Sequence, residues 1–182
     1  AVTAFSATAG AKDVVVTTPV GTATLPSAFT YLAPTPALTI TTDAASCVPL
    51  ASTVNMNVTL SGVVSNVVAG QISLSWNPAK LSLAASNPIS AGDAPFTVYY
   101  TINSAAGSAT ILVSIAPGGT GGPVQSKVVA RLKFVAVAGA CDGAGTSVGY
   151  MPGGTLPTEF TDGAGGAIVP QLVASPTFVV DD

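Results

Sequence analysis

The chain has 182 residues, a formal net charge of −3, 48% hydrophobic residues, only 7% charged residues and no histidine. That length can bury a sizeable core, whereas its five dispersed cations (Lys12, Lys80, Lys127, Arg131 and Lys133) are too few to neutralise a run of phosphates and argue against nucleic acid as a partner. The missing histidine removes Ser-His-Asp and Cys-His catalysis and the commonest zinc ligand together.

With so little charge, the polar surface must come from Ser, Thr, Asn, Gly and backbone, which is not how helices are solvated. Val, Thr and Ile are plentiful, and 19 glycines with 14 prolines supply frequent turns, so the composition predicts many short strands. The uncharged stretches 14–42, 44–79 and 94–126 are interrupted by Pro, Gly, Ser and Thr. None reaches the ~18 consecutive apolar residues of a membrane span. No basic segment with an apolar core opens the chain, so the expectation is a secretion signal already removed or lying outside it.

In chain order, the first predicted strands are 14–18, 22–25 and 28–32. The run from Val14 to Tyr31, with Thr17-Thr18-Pro19-Val20-Gly21-Thr22-Ala23-Thr24-Leu25-Pro26 at its centre, resembles the closing hairpin of the IPT/TIG immunoglobulin-like domains. The front strands of such a domain are absent. Ala33-Pro34-Thr35-Pro36 reads as a short extended linker, dividing the chain into residues 1–33, a 34–36 linker and a module at 37–182. Thirty-odd residues cannot bury a core alone. Val14, Val15, Val16, Thr22, Thr24, Phe29 and Tyr31 are therefore candidate assembly positions, whose backbone groups need partners.

After the linker, 37–42 is the next predicted strand. Val54, Met56, Val58 and Leu60 alternate with Asn55, Asn57 and Thr59, which defines a half-buried strand. Ile72, Leu74 and Trp76 repeat the pattern against Ser73 and Ser75, and one helical turn is predicted at Pro78 to Leu81. Further alternation runs through Phe96, Val98, Tyr100 and Ile102, then Ile111, Val113 and Ile115, then Ala130, Leu132, Phe134 and Ala136 with Arg131 and Lys133 outward. Strands are also expected at 147–150, 168–173 and 176–180. Turn signals at Asn77-Pro78, Asn87-Pro88, Ala91-Gly92-Asp93, Asn103 to Gly107 and Pro117 to Pro123 space the strands about 10 to 15 residues apart, as in a sandwich or jelly roll.

The segment Gly70-Gln71-Ile72-Ser73-Leu74-Ser75-Trp76-Asn77-Pro78-Ala79-Lys80-Leu81, with the opening strand Val54 to Leu60, Arg131 to Ala136 and Phe160-Thr161-Asp162-Gly163 with Ile168, resembles cohesin-like domains. The resemblance implies an all-β jelly-roll sandwich of the immunoglobulin-like kind, preceded here by an extra N-terminal hairpin. It also implies a non-enzymatic, secreted module and a dockerin-like partner. Cys47 and Cys141 depart from the usual pattern of that family, and no residue matches a dockerin-recognition motif.

Cys47 and Cys141 lack metal or redox spacing; a disulfide is their simplest use and two buried thiols the alternative. If formed, the bridge implies an oxidising compartment. The carboxylates (Glu159 and seven aspartates) sit mostly beside Gly, Ala or Thr as turn residues do, and offer no facing pair for glycosidase chemistry. Asp142-Gly143 and Asp162-Gly163 are weak calcium candidates, with the turn reading favoured. Of the aromatic residues Trp76, Tyr99, Tyr100 and Tyr150, which could stack on a sugar, Trp76 and Tyr100 fall on the core side of their strands and Tyr99 is the surface candidate. Asn57-Val58-Thr59 is a formal glycosylation sequon within a strand.

The expected function is an extracellular or cell-surface structural module that self-associates, or contacts neighbouring surface domains, through strand contacts. The alternative is a carbohydrate- or dockerin-binding module of a secreted multidomain protein.

Overall fold

A computed structural model describes residues 9–116, 121–137, 145–151 and 157–180. The chain divides into two compact units, Ala1–Thr35 and Pro36–Asp182. Every regular element among the described residues is a strand, so the fold is all-β.

The first unit is a hairpin of β1 (Gly10–Thr18) and β2 (Gly21–Tyr31), turning at Pro19-Val20. Its β-branched run Val14 to Thr18 suits an extended backbone. The Thr18 hydroxyl donates to the Gly21 carbonyl at 3.1 Å. Where two strands were expected, at 22–25 and 28–32, there is one strand with a bulge. Between the pairs Val14↔Leu25 and Lys12↔Phe29, three residues of β2 oppose Asp13 alone. Ser27 lies there at φ 51, and its N–H donates to Asp13 Oδ1 at 2.8 Å.

The second unit opens with β3 (Ala37–Thr42), β4 (Cys47–Val48) and the 24-residue β5 (Thr53–Trp76). It continues with β6 (Leu81–Leu83), β7 (Ile89–Ala91), β8 (Phe96–Asn103), β9 (Ser108–Ile115) and β10 (Gly122–Ala136). It closes with β11 (Val148–Tyr150), β12 (Glu159–Asp162), β13 (Ala167–Ile168), β14 (Gln171–Val173) and β15 (Val179–Val180).

The long strand β5 belongs to two sheets in turn. Its first half pairs with β3 and β10, and β14 and the short β6 and β7 extend that sheet on its two sides. Its second half pairs with β9 on one edge and with β11 and β12 on the other, β8 lying outside β9 and β13 outside β12. The burial pattern explains why alternation revealed only the two ends of β5. Val54, Met56, Val58 and Leu60 are buried, then Val63 and Val67, then Ile72, Leu74 and Trp76, so the inward phase slips twice. The first slip falls at Gly62, whose φ of 68 a side chain rarely adopts; the second falls near Val68, where the register with β12 shifts.

The two sheets share one core that includes Leu38, Met56, Leu60, Ile72, Ile111 and Phe134. Across it, the rings of Trp76 and Phe134 meet edge to face with centroids 5.2 Å apart. The Tyr150 hydroxyl, carried by the second sheet, donates to the Leu38 carbonyl of the first at 2.9 Å. The terminal strands close the sandwich in parallel pairs, β14 on β3 and β15 on β4. The helical turn expected at 78–81 is present as a single turn: Lys80 and Leu81 N–H groups donate to the Asn77 carbonyl (3.1 and 3.0 Å), and Asn77 Oδ1 accepts from Ala79 N–H.

Candidate functional site

The outer face of the second sheet carries an uncharged aromatic patch. The register aligns Gln71 of β5 with Leu112 of β9 and Leu112 with Tyr99 of β8; the adjacent row joins Ser73, Thr110 and Thr101. Tyr99 is 69% exposed and Leu112 49% exposed. A shallow hollow of about 410 Å³ is lined by Gln71, Tyr99, Tyr100, Thr101, Thr110 and Leu112, with no charged group among them. Its rim is anchored by Gln71 Nε2, which donates to the Pro157 carbonyl at 3.1 Å.

Tyr100 was expected in the core and is instead 42% exposed. It pairs with the fully buried Ile111, so it does lie on the core side of its strand. Among the described residues β8 is the outermost strand of its sheet, and no strand beyond it covers the ring. Leu112 was missed because alternation identified Ile111, Val113 and Ile115 as core and left the residues between them unexamined. The available signal was an apolar residue at a position whose strand neighbours on that face are Thr110 and Ser114.

A second, polar hollow of about 310 Å³ lies on the outer face of the first sheet, between Asn55, Asn57, Asn87, Ser90, Arg131 and Lys133. Arg131 is committed there: it pairs with Asp93 Oδ1 at 2.9 Å and donates to the Ala91 carbonyl at 3.0 Å. Asp93 Oδ2 also accepts from Val128 N–H at 3.0 Å, which clips the loop after β7 onto the bulge of β10. With both partners 45% exposed, the ion pair contributes at most ~1 kcal/mol. Asn57, the sequon residue, is exposed on this face.

The remaining candidates are distributed through the fold. Val14, Val15, Val16, Thr22, Thr24 and Phe29 are exposed on the hairpin, and Phe29 and Tyr31 meet edge to face at 6.5 Å. Cys47 begins β4, and no cysteine among the described residues is free; Cys141 lies outside the described residues. Asp142 also lies outside them. Asp162 Oδ1 accepts from Ala164 and Gly166 N–H groups at 2.9 and 2.7 Å, closing the turn between β12 and β13. Asp43 likewise binds backbone and side chain of Asn55, at 2.8 and 2.7 Å. Among the described residues no three acidic, histidine or cysteine side chains group as metal ligands.

Trp76 is 6% exposed, and its Nε1 is buried without a hydrogen-bond partner among the described residues. Burial pushes the Tyr150 phenol well above its ordinary value.

Two mainly antiparallel sheets packed on one core, with β5 running through both, place the chain in the class of jelly-roll β-sandwiches. The Cohesin domain family model matches residues 38–159, more than half of the chain, and the chain belongs to that family, one of non-catalytic protein-interaction modules. Among solved structures, the cohesin module of a family 33 glycoside hydrolase from Clostridium perfringens is 13% identical with a TM-score of 0.63, over 81% of this chain and 98% of that one. The sixth cohesin of scaffoldin B from Acetivibrio cellulolyticus, solved with a Cel5 dockerin, is 19% identical with a TM-score of 0.59, over 80% and 98% of the two chains. An OlpA cohesin from Clostridium thermocellum, solved as a type I cohesin–dockerin complex, is 13% identical with a TM-score of 0.60, over 80% and 99%. No curated protein sequence matches the chain.

Proposed function

We propose that this chain is a non-enzymatic, extracellular binding module that docks a protein partner of dockerin type on the outer face of its second sheet. The observation that carries the reading is the uncharged hollow containing Tyr99 and Leu112. A large exposed aromatic beside an apolar side chain on a rigid sheet is what an interface centre requires. Two of the similar structures above were solved with dockerins, which supports the choice of partner class.

Titration calorimetry against a panel of dockerin domains is the test. At least one should bind, and Leu112→Lys should weaken that binding at least about tenfold, through desolvation of a charge, without changing the melting temperature. A panel that stays silent, or a Leu112→Lys chain that binds as tightly as wild type, refutes the reading. A polysaccharide stacked on Tyr99 is the competing occupant, and soluble glycans that displace the dockerin would favour it.

A second reading is self-assembly into a surface layer or filament through the N-terminal hairpin, which resembles the closing hairpin of an IPT/TIG domain. It is favoured by the exposed Val14, Val15, Val16, Leu25 and Phe29 and by a two-stranded sheet, which is marginally stable at best without a third strand. For the sandwich we read Cys47, which is not a free thiol, as bridged to Cys141, the other cysteine of the chain. That bridge accords with an oxidising, extracellular setting.

A further inference from the structure

We infer that the outer edge of β8 is an acceptor for a strand of a second copy of this chain, and that the strand it accepts is β1. The inference rests on the self-assembly reading and names the surface that completes it.

Among the described residues β8 pairs with β9 alone. The direction of its backbone groups follows from the end of that ladder, where Ala116 N–H donates to the Pro95 carbonyl at 2.9 Å. Alternation then turns the backbone groups of Thr97, Tyr99 and Thr101 toward β9, and those of Val98, Tyr100 and Ile102 away from it. The outward groups have no strand opposite them among the described residues.

Natural edge strands are usually blunted by a lysine, a proline, a bulge or extreme shortness. Four other edge strands among the described residues follow that rule. β6, β7 and β14 have three residues each, and β13 has two. β8 has eight residues, Phe-Thr-Val-Tyr-Tyr-Thr-Ile-Asn, without charge, proline or register shift. It is a template for strand addition.

The hairpin supplies the matching deficiency. Two strands alone leave two open edges, but that of β2 is interrupted by Pro26, which has no N–H, and by the bulge at Ser27. The edge of β1 from Val14 to Thr18 is five uncharged, β-branched residues without interruption. Adding it to β8 would give the hairpin its third strand and satisfy the outward donors and acceptors of Val98, Tyr100 and Ile102. Donor and acceptor are different strands, so the contact is heterologous and builds a ring where its rotation closes and a filament where it does not.

Sedimentation of the full chain, with complementary defects, tests this. The acceptor variant is Tyr100→Pro, which removes an outward N–H and no bond to β9; Tyr100→Lys is its back-up should proline unfold the strand. The donor variant is Val15→Asp with Val16→Asp, and the fluorescence of Trp76 monitors folding in all of them.

Wild type should form concentration-dependent oligomers, and each variant alone should associate at least about tenfold more weakly. The two mixed should form a dimer that does not grow, since each supplies one intact surface. Oligomers that persist in both Tyr100 variants overturn β8 as the acceptor; if the donor variant is monomeric in that same experiment, the hairpin reading survives. A wild type that stays monomeric throughout overturns both.

Discussion

Tyr150 joins the two sheets through one hydrogen bond, and its ionisation exposes that link to pH. Its phenol is partly buried and its pKa raised, so the folded chain keeps the proton at pH values where the unfolded chain has lost it. The contribution is fully present below the unfolded value of about 10 and declines as pH rises beyond it. Tyr150→Phe should therefore cost about 1 kcal/mol at neutral pH and flatten the alkaline loss of stability, read by denaturant titration from pH 8 to 11. At this scale the sequence indicated which side of a strand each aromatic occupies. Trp76 and Tyr100 both face inward by alternation, yet one is 6% and the other 42% exposed, because exposure depends on how many strands lie beyond.

Elements depend on matched irregularities as much as on regular pairing. In the ladder between β5 and β12, Phe160 stands opposite Gly70, and a Cβ on Gly70 would run into the Phe160 ring. The glycine thus makes room for a fully buried aromatic at the point where β5 changes sheets. Gly70→Ala should destabilise the chain by about 2 kcal/mol, and Phe160→Ala by about 3 to 5 kcal/mol. The double variant should lose less than the sum of the two, since the ring that clashes is gone; additive losses in urea denaturation would count against the clash. Gly70 and Phe160 were legible in the sequence as parts of a strand motif and a late loop. Their mutual dependence was not, because residues 90 positions apart in the chain become neighbours only through the sheet.

For the molecule as a whole, the proposed Cys47–Cys141 bridge would close a long loop around most of the sandwich. In the chain-entropy account, such a link stabilises mainly by restricting the unfolded state, by roughly 4 to 5 kcal/mol for a loop of this length. Cys47→Ser and Cys141→Ser should lower the unfolding free energy by similar amounts, and the two together by no more than either alone. Mass spectrometry without reductant should find the wild type lighter than the reduced chain by the mass of two hydrogen atoms.

The sequence by itself determined the all-β class, the jelly-roll resemblance and the residues that face inward, because strand periodicity is local and each side chain's face follows from its neighbours. Low charge and the absence of histidine directed the functional reading toward binding rather than catalysis. The tertiary structure alone decided that β5 serves two sheets, that Tyr99 and Leu112 share one hollow, and that β8 is a long edge with no second partner among the described residues. Those properties depend on which strands lie side by side. Pairing is set by contacts between distant parts of the chain, which a period of two residues does not encode.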